Sequence, residues 1–192
     1  MGLDMYLNKM PRYKNATARD VAAVENYLDW MKAKEEGSEY ANGTFYDWCR
    51  MDVPSQEIIG FYSKFYENKY SDWDTEKKYG YMRIMDQVGY WRKQNAIHCW
   101  FVDNVQGGED DCEYHAEVTK EDLRALLKLC NEVLTNMDLA DELLPTQSGF
   151  FFGSTEYDEW YKDGLQYTVD KIYEIFNKVD FEKEMLYYIS SW

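Results

Sequence analysis

The sequence predicts a single-domain α+β fold, with a small, mostly antiparallel sheet packed with about five helices. Three observations lead to this prediction. Short segments of alternating apolar and polar residues, which are typical of strands, are interspersed with segments whose apolar residues follow helical spacing. A length of 192 residues suits one domain. The longest apolar runs are only a few residues, far from the roughly 20 that a membrane-spanning helix requires.

The first elements follow from alternation and from capping residues. Residues 3–8 alternate and are predicted as a strand. Thr17 is predicted to be the N-cap of a helix, with Asp20 near the positive end of the helix dipole. Residues 44–51 are predicted as a short strand, and a second helix is expected to begin after Ser55.

The second half of the chain continues this mixture. Apolar spacing predicts a helix at residues 88–105. The run GFFFG at residues 149–153 predicts a buried strand, after which Ser154 or Thr155 would cap a long helix. The remaining elements are a helix capped by Thr119 and strands at residues 113–118 and 184–191.

Charge is distributed unevenly along the chain. The sequence has 36 acidic and 21 basic residues, a net charge of −15. Residues 1–108 contribute −2 and residues 109–192 contribute −13. Such a surface repels a phosphate backbone and attracts a basic protein surface. We therefore expect no direct binding of nucleic acid.

The first residues, MGLDMYLNK, contain no apolar signal-peptide core, so a cytoplasmic protein with no membrane association is expected. In that compartment Cys49, Cys99, Cys112 and Cys130 are expected to be free thiols. Cys130 lies in an apolar helical pattern and is expected in the core.

Long strings of the sequence resemble a family of small, uncharacterised bacteriophage and prophage proteins. They are MGLDMYL at 1–7, YWRKQNAIHCWFVDNVQGGEDDC at 90–112, LLPTQSGFFFGSTEYDEWY at 143–161 and YYISSW at 187–192. Residues 11–79 match poorly, which suggests an insertion that varies within the family. The resemblance implies a phage accessory protein that acts in the host cytoplasm, and it brings no activity or catalytic residue.

The histidines and cysteines of the middle region could support two kinds of chemistry. His98, Cys99, Cys112 and His115 could supply four zinc ligands, but adjacent residues of a helix point about 100° apart. A cysteine–histidine pair could act as a nucleophile and base, although no protease signature is present. Structural roles are favoured for all four, and no metal or cofactor is predicted.

A small-ligand site is predicted on the helix expected at 88–105. Aromatic, amide, imidazole and guanidinium groups together could recognise a nucleotide base and its phosphate. The competing interpretation is a polar pair, Asn95 and His98, hydrogen-bonded inside an apolar face. The predicted ligand residues are Trp91, Arg92, Asn95, His98, Gln147 and Ser148.

A protein-binding surface is the main prediction. Carboxylates with aromatic side chains between them could imitate a nucleic-acid backbone and occupy a basic groove, although most charge runs are simply solvated. The predicted contact residues are Glu109, Asp110, Asp111, Asp141, Glu142, Tyr157, Asp158, Glu159, Trp160 and Asp163.

The resulting functional hypothesis is a non-enzymatic phage inhibitor that blocks a nucleic-acid-binding host defence protein, such as a CRISPR effector. The alternative is a module that sequesters or processes a nucleotide. A phage structural component is the third hypothesis, although the chain has no coiled coil or fibre repeat. The sequence predicts no oligomeric state.

Overall fold

The computed structural model describes residues 2–69, 81–110, 112 and 116–192. The chain divides into two compact units, one formed by Met1–Lys9 and Gln87–Trp192 and the other by Met10–Asp86. The fold class is α+β, as predicted from the sequence. That the segment at 11–79 is a family-variable insertion remains a prediction.

The elements are numbered along the described part of the chain. Its α-helices are α1 (Ala18–Glu35), α2 (Phe45–Cys49), α3 (Gln56–Tyr62), α4 (Asn95–Asn104), α5 (Lys120–Thr135), α6 (Ala140–Leu143) and α7 (Glu159–Lys178). Its strands are β1 (Asp4–Pro11), β2 (Glu67–Lys69), β3 (Tyr81–Arg83), β4 (Asp86–Arg92), β5 (Ala116–Val118) and β6 (Glu184–Ser191).

The first unit is built on a four-stranded antiparallel sheet in the order β4-β1-β6-β5. Leu3, Met5 and Leu7 are fully buried, as the alternation of the sequence predicted. They form one core with residues of α4, α5 and α7. The strand predicted at 184–191 is confirmed as β6, and β5 occupies the end of the strand predicted at 113–118.

The second unit contains α1 to α3 and the antiparallel hairpin of β2 and β3. Thr17 caps α1 in a reciprocal capping box with Asp20, which confirms that prediction. Ser55 caps α3, also as predicted. The aromatic rings of Tyr27 and Phe45 meet edge to face, with centroids 5.6 Å apart.

Four local predictions were wrong, and the first two concern residues 44–51 and 88–105. Residues 44–51 form helix α2 and not a strand, because Thr44 and Asp47 make a second capping box. The helix predicted at 88–105 is a strand as far as Arg92, and α4 begins only at Asn95. Pairing with β1 therefore outweighs the helical spacing of this segment.

The GFFFG segment is a turn and not a buried strand. The Phe152 N–H donates to the Gly149 carbonyl at 3.1 Å, and Phe150 is 96% exposed. Gly153 has a φ of +93°, a conformation that a side chain would disfavour. The following helix is capped by Asp158, four residues beyond the predicted Ser154, because the Asp158 carboxylate accepts from the Tyr161 N–H.

None of the helices in the described ranges is long and apolar enough to cross a membrane.

A buried carboxylate in α1 holds the chain just before β4. Glu25 is 7% exposed, and its Oε1 accepts the Ile84 N–H at 2.7 Å and the Met85 N–H at 3.0 Å. Burial raises the pKa of Glu25, whereas these two hydrogen bonds lower it. The carboxylate therefore satisfies two backbone donors that would otherwise be buried without a partner.

We expect Glu25→Ala to lower the free energy of unfolding by about 2–4 kcal/mol, because it removes the acceptor of two buried N–H groups. Glu25→Gln retains an acceptor oxygen and should lower it less. Urea denaturation followed by circular dichroism measures both. Glu35→Ala, at an exposed position of the same helix, is the control, and equal effects of Glu25→Ala and Glu35→Ala would contradict the assignment.

Candidate functional site

A cleft of about 540 Å³ opens in the first unit between the end of β4 and the first half of α7. Its size falls within the range of about 300–1,000 Å³ that is usual for small-molecule sites. Four of its nine lining residues are aromatic. The lining residues are Tyr90, Trp91, Arg92, Lys93, Gln94, Trp160, Asp163, Gly164 and Tyr167.

The base of the cleft is fixed by Trp91. Its side chain is 2% exposed, and its indole N–H donates to the Thr168 hydroxyl at 3.0 Å. Thr168 in turn donates to the Gly164 carbonyl within α7. This hydrogen-bond chain ties β4 to α7 at the inner end of the cleft, so the ring surface of Trp91 has a defined position.

One wall of the cleft is a row of side chains along α7. Trp160, Asp163 and Tyr167 follow one another at helical spacing, and all three are exposed. Trp160 is 60% exposed although it belongs to an amphipathic helix with a well-buried opposite face. The Tyr167 ring lies edge-on to Trp91, with centroids 6.3 Å apart. Large exposed rings beside a concave surface are suited to stacking on a flat ligand.

Four polar groups of the cleft have no partner within the described part of the chain. In the described ranges, the Lys93 ammonium, the Gln94 amide, the Asp163 carboxylate and the Trp160 indole N–H make no hydrogen bond or ion pair. Most other charged side chains of α7 are engaged, as in the Glu159–Lys162 pair at 3.1 Å. The cleft thus presents a cation, an amide and a carboxylate whose partners have to come from water or a ligand.

The backbone at Lys93 holds an uncommon conformation. Its φ is +55°, a conformation that is unfavourable in free energy for any residue that carries a side chain. The Lys93 N–H donates to the Leu3 carbonyl at 2.8 Å, so the sheet fixes this conformation. The Lys93 side chain passes close to Gly2 and to Gly153, where a side chain would crowd it.

Arg92 differs from Lys93 because it is already paired. Its guanidinium lies 2.7 Å from the Asp4 carboxylate, which also accepts a hydrogen bond from the Tyr90 hydroxyl. Arg92 is half exposed, so it still adds positive potential at the edge of the cleft. Arg92 and Lys93 thus place two cationic groups at this edge of the cleft, of which Arg92 is paired with Asp4.

Asn95 holds the turn that follows α6 and is not available to a ligand. It is 3% exposed, and its amide donates to the carbonyls of Phe152 and Ser154 at 3.1 and 2.8 Å. Its oxygen accepts the Gln147 N–H at 3.0 Å. Asn95 therefore uses its hydrogen-bonding capacity to fix residues 147–154.

His98 is fully buried and also has structural partners. Its Nδ1 lies 2.7 Å from the Tyr188 hydroxyl. Its Nε2 is 3.1 Å from the Asp110 carboxylate, although the two are not aligned for a good hydrogen bond. Asp110 also accepts the Trp192 indole N–H at 3.2 Å. Burial lowers the pKa of His98, against the opposing effect of Asp110, so the folded state favours the neutral imidazole.

The predicted ligand residues are therefore divided. Trp91 and Arg92 line the cleft, whereas Asn95 and His98 lie in the core. Gln147 is held through its backbone by Asn95, and Ser148 is exposed in the same loop.

The predicted contact residues are brought together only in part. Helix α6 lies beside the start of α7, because the Tyr157 hydroxyl donates to Asp141 at 3.0 Å and Tyr161 donates to the Leu144 carbonyl at 2.8 Å. The exposed acidic residues of this region are Asp141, Glu142, Asp158, Glu159 and Asp163, with Trp160 among them. Glu109 is exposed near the end of α4, Asp110 contacts His98, and Asp111 lies outside the described residues.

Of the suggested zinc and nucleophile residues, His98 and Cys99 have other partners. Cys99 donates to Asp103 at 3.5 Å, and burial raises the pKa of its thiol to about 11, which disfavours the reactive thiolate. His115 lies outside the described residues. Within the described part of the chain, no three His, Cys, Asp or Glu side chains converge as metal ligands.

The residues predicted from the sequence do not include five residues of the cleft: Tyr90, Lys93, Gln94, Gly164 and Tyr167. The spacing of Trp160, Asp163 and Tyr167 could have indicated one shared helix face. No sequence signal places that face against the end of β4, because the two segments are about 70 residues apart.

The lowered pKa of His98 predicts a pH dependence. The unfolded chain binds a proton near the ordinary histidine pKa of about 6.5, and the folded chain binds it only at lower pH. The stability that comes from neutral His98 is thus complete above about pH 6.5 and falls as the pH drops below it. This one site can change the free energy of unfolding by at most about 1.4 kcal/mol per pH unit.

We therefore expect His98→Gln to flatten the fall in unfolding free energy between about pH 7 and pH 5. Denaturant titrations at several pH values measure this slope. The matched control is the same substitution at His115, the second histidine. If His115→Gln flattens the curve and His98→Gln does not, the assignment is wrong.

Comparison of the chain with models of known protein families, with curated proteins and with solved structures finds no match. The resemblance to phage proteins therefore remains a prediction. Two of the strings that carry it, at 90–112 and 143–161, supply six of the nine residues that line the cleft.

Proposed function

We propose that this protein is a binding module for a small aromatic anion of the nucleotide class. The observation that carries the proposal is the cleft itself, in which exposed Trp160 and Tyr167 stand beside unpaired Lys93 and Gln94. A flat base would stack on the rings. The phosphate would lie toward Lys93 and Arg92.

The net charge of −15 does not oppose this proposal at short range. Repulsion between separated charges is screened within about 10 Å at 0.1 M salt. Within the lining, Lys93 and Arg92 are two cations against one carboxylate, Asp163, and Lys93 is the cation that is not already paired, since Arg92 lies against Asp4. The affinity for a ligand in the cleft therefore depends mainly on its contacts with these side chains.

The proposed role is binding without catalysis, such as sequestration of a nucleotide. Among the lining residues, Asp163 is a candidate base, but no serine, cysteine or histidine nucleophile lies beside it. An aromatic cleft with a carboxylate could instead hold an alkylammonium cation. The two cations at the edge of this cleft favour an anion.

The test is a thermal-shift and calorimetry series with nucleoside mono-, di- and cyclic phosphates, with choline as the cationic probe. A nucleotide at 100 times its Kd should stabilise the fold by about 2.7 kcal/mol. Trp160→Ala should weaken binding on the order of tenfold because it removes a stacking surface. Lys93→Gln should reduce the affinity for nucleotides more than the affinity for the corresponding nucleosides, which lack the phosphate.

Matched controls lie outside the cleft. Tyr173→Ala removes an exposed ring from the same helix, and Lys128→Gln removes an exposed cation from α5. Neither should change affinity. The proposal is overturned if choline stabilises the fold and no nucleotide does, or if neither kind of probe stabilises it.

Inhibition of a nucleic-acid-binding host protein is the second candidate function. Residues 138–163 contain seven acidic residues and one basic residue, Lys162. The contacts of Tyr157 and Tyr161 gather this segment into one surface region, with Phe150 and Trp160 as exposed rings. Such a region would suit a basic groove of a defence protein such as a CRISPR effector.

We expect this interaction to be lost when Asp138, Glu142 and Glu156 are changed together to lysine. These acidic residues are exposed, whereas Asp158 caps α7 and Glu159 pairs with Lys162. The control changes Glu35, Glu36 and Glu39, in the second unit, to lysine. The measurement is recovery of nucleic-acid-binding proteins from nuclease-treated bacterial lysate at low salt, and loss of their nucleic-acid binding when the protein is added.

Equal recovery by the two triple variants would show that the region 138–163 is not the contact surface. Phage origin and action in the host cytoplasm belong to this second proposal. They are supported by the resemblance of the long sequence strings.

A further inference from the structure

The side chain of Gln94 occupies a distinctive position in the cleft. Gln94 precedes α4 as its N-cap residue, but its side chain makes no capping hydrogen bond. The amide lies directly against the backbone of α7, because a Cβ atom built on Gly164 would overlap it. An amide at this position is held by packing while its hydrogen-bonding atoms remain unused.

Gln94 also lies where two cavities meet. A crevice of about 10 Å³, with room for a single water molecule, adjoins the cleft and shares Lys93, Gln94 and Trp160 with it. Gln94 is half-buried, and within the described ranges its amide has no hydrogen-bond partner. A half-buried amide without a protein partner takes its hydrogen bonds from water or from a bound molecule, so Gln94 is available to a ligand.

Trp160 and Gly164 are one turn apart on α7, so they lie on the same face of the helix. A ring stacked on Trp160 therefore has one edge directed along α7 toward the amide that rests on Gly164. A carboxamide offers a donor and an acceptor side by side. It can make two parallel hydrogen bonds to a ring edge that offers the complementary pair, as in amide recognition of adenine.

We infer that Gln94 determines which ring the cleft accepts, by pairing with a ring edge that carries an amino donor beside a nitrogen acceptor. This inference rests on the proposed function and names the part of the ligand that the site recognises. Gly164 is the positioning residue, since any larger side chain would displace the amide. A site built around such a polar group discriminates strongly against a ring that lacks the matching group.

The experiment compares adenosine 5′-monophosphate with purine riboside 5′-monophosphate, which lacks only the amino group. Calorimetry on the full chain should give an affinity ratio on the order of tenfold in favour of the amino compound. Gln94→Leu should bring this ratio close to one and leave the affinity for purine riboside 5′-monophosphate nearly unchanged. The control, Gln166→Leu on α7, should leave the ratio as it is in the wild type.

Gly164→Ala provides a second, independent variant, because it displaces the amide without changing its chemistry. It should reduce the ratio as Gln94→Leu does. Gly60→Ala is the matched control, since Gly60 also lies in a helix and has open space around it. Circular dichroism and thermal melting establish that each variant is folded.

The possible results separate the two proposals. Equal wild-type affinity for the two nucleotides overturns the inference about Gln94 and leaves the nucleotide proposal standing. An unchanged ratio in Gln94→Leu also overturns it. Binding of neither nucleotide by the wild type removes the proposed function, and the inference with it. If a variant does not fold, the wild-type ratio and the other variant decide.

Discussion

The short connection between β4 and α4 is the constraint on which the site depends. β4 has to end at Arg92, and the chain has to turn at once into α4, whose residues fill the core. Lys93 makes that turn with a positive φ, held by its hydrogen bond to the Leu3 carbonyl. The turn directs Lys93 and Gln94 toward α7 and away from the sheet, and the cleft forms there.

The core beneath the cleft makes this arrangement rigid. The indole of Trp91 is hydrogen-bonded to Thr168, and Asn95 fixes the turn at residues 147–154. These buried polar groups are satisfied, so they specify one arrangement of the neighbouring segments. Three groups at the surface of the cleft are the opposite case, because Lys93, Gln94 and Asp163 have no partner among the residues that the structure describes. Rigid support under unpaired polar groups is the arrangement that a preorganised binding site requires.

The acidic region at residues 138–163 and the cleft overlap at Trp160 and Asp163 but are otherwise formed by different residues. The acidic residues between 138 and 163 lie on α6, on the first turns of α7 and in the segments that precede these helices. Asp158 already caps α7, and Glu159 pairs with Lys162. Asp110, which the sequence presents as part of an acidic run, contacts a buried histidine and a tryptophan indole. A charge cluster in the sequence thus overstates the number of carboxylates that are free to meet a partner. This is why the cleft, and not the charge, carries the first functional proposal.

Local rules determined much of the fold. The capping boxes at Thr17 and Thr119, the core strand of Leu3, Met5 and Leu7, and the strand at 184–191 all follow from short-range pattern, because capping and alternation act within a few residues. The chemistry of the side chains also predicts Trp91 and Arg92 as ligand residues and Trp160 as a protein-contact residue, and all three line the cleft. The tertiary structure alone decided that 88–92 is a strand, that GFFFG is a turn, and that Gln94 lies on Gly164. Each of these depends on partners far along the chain, β1, Asn95 and α7, and residue spacing within a segment contains no information about such partners.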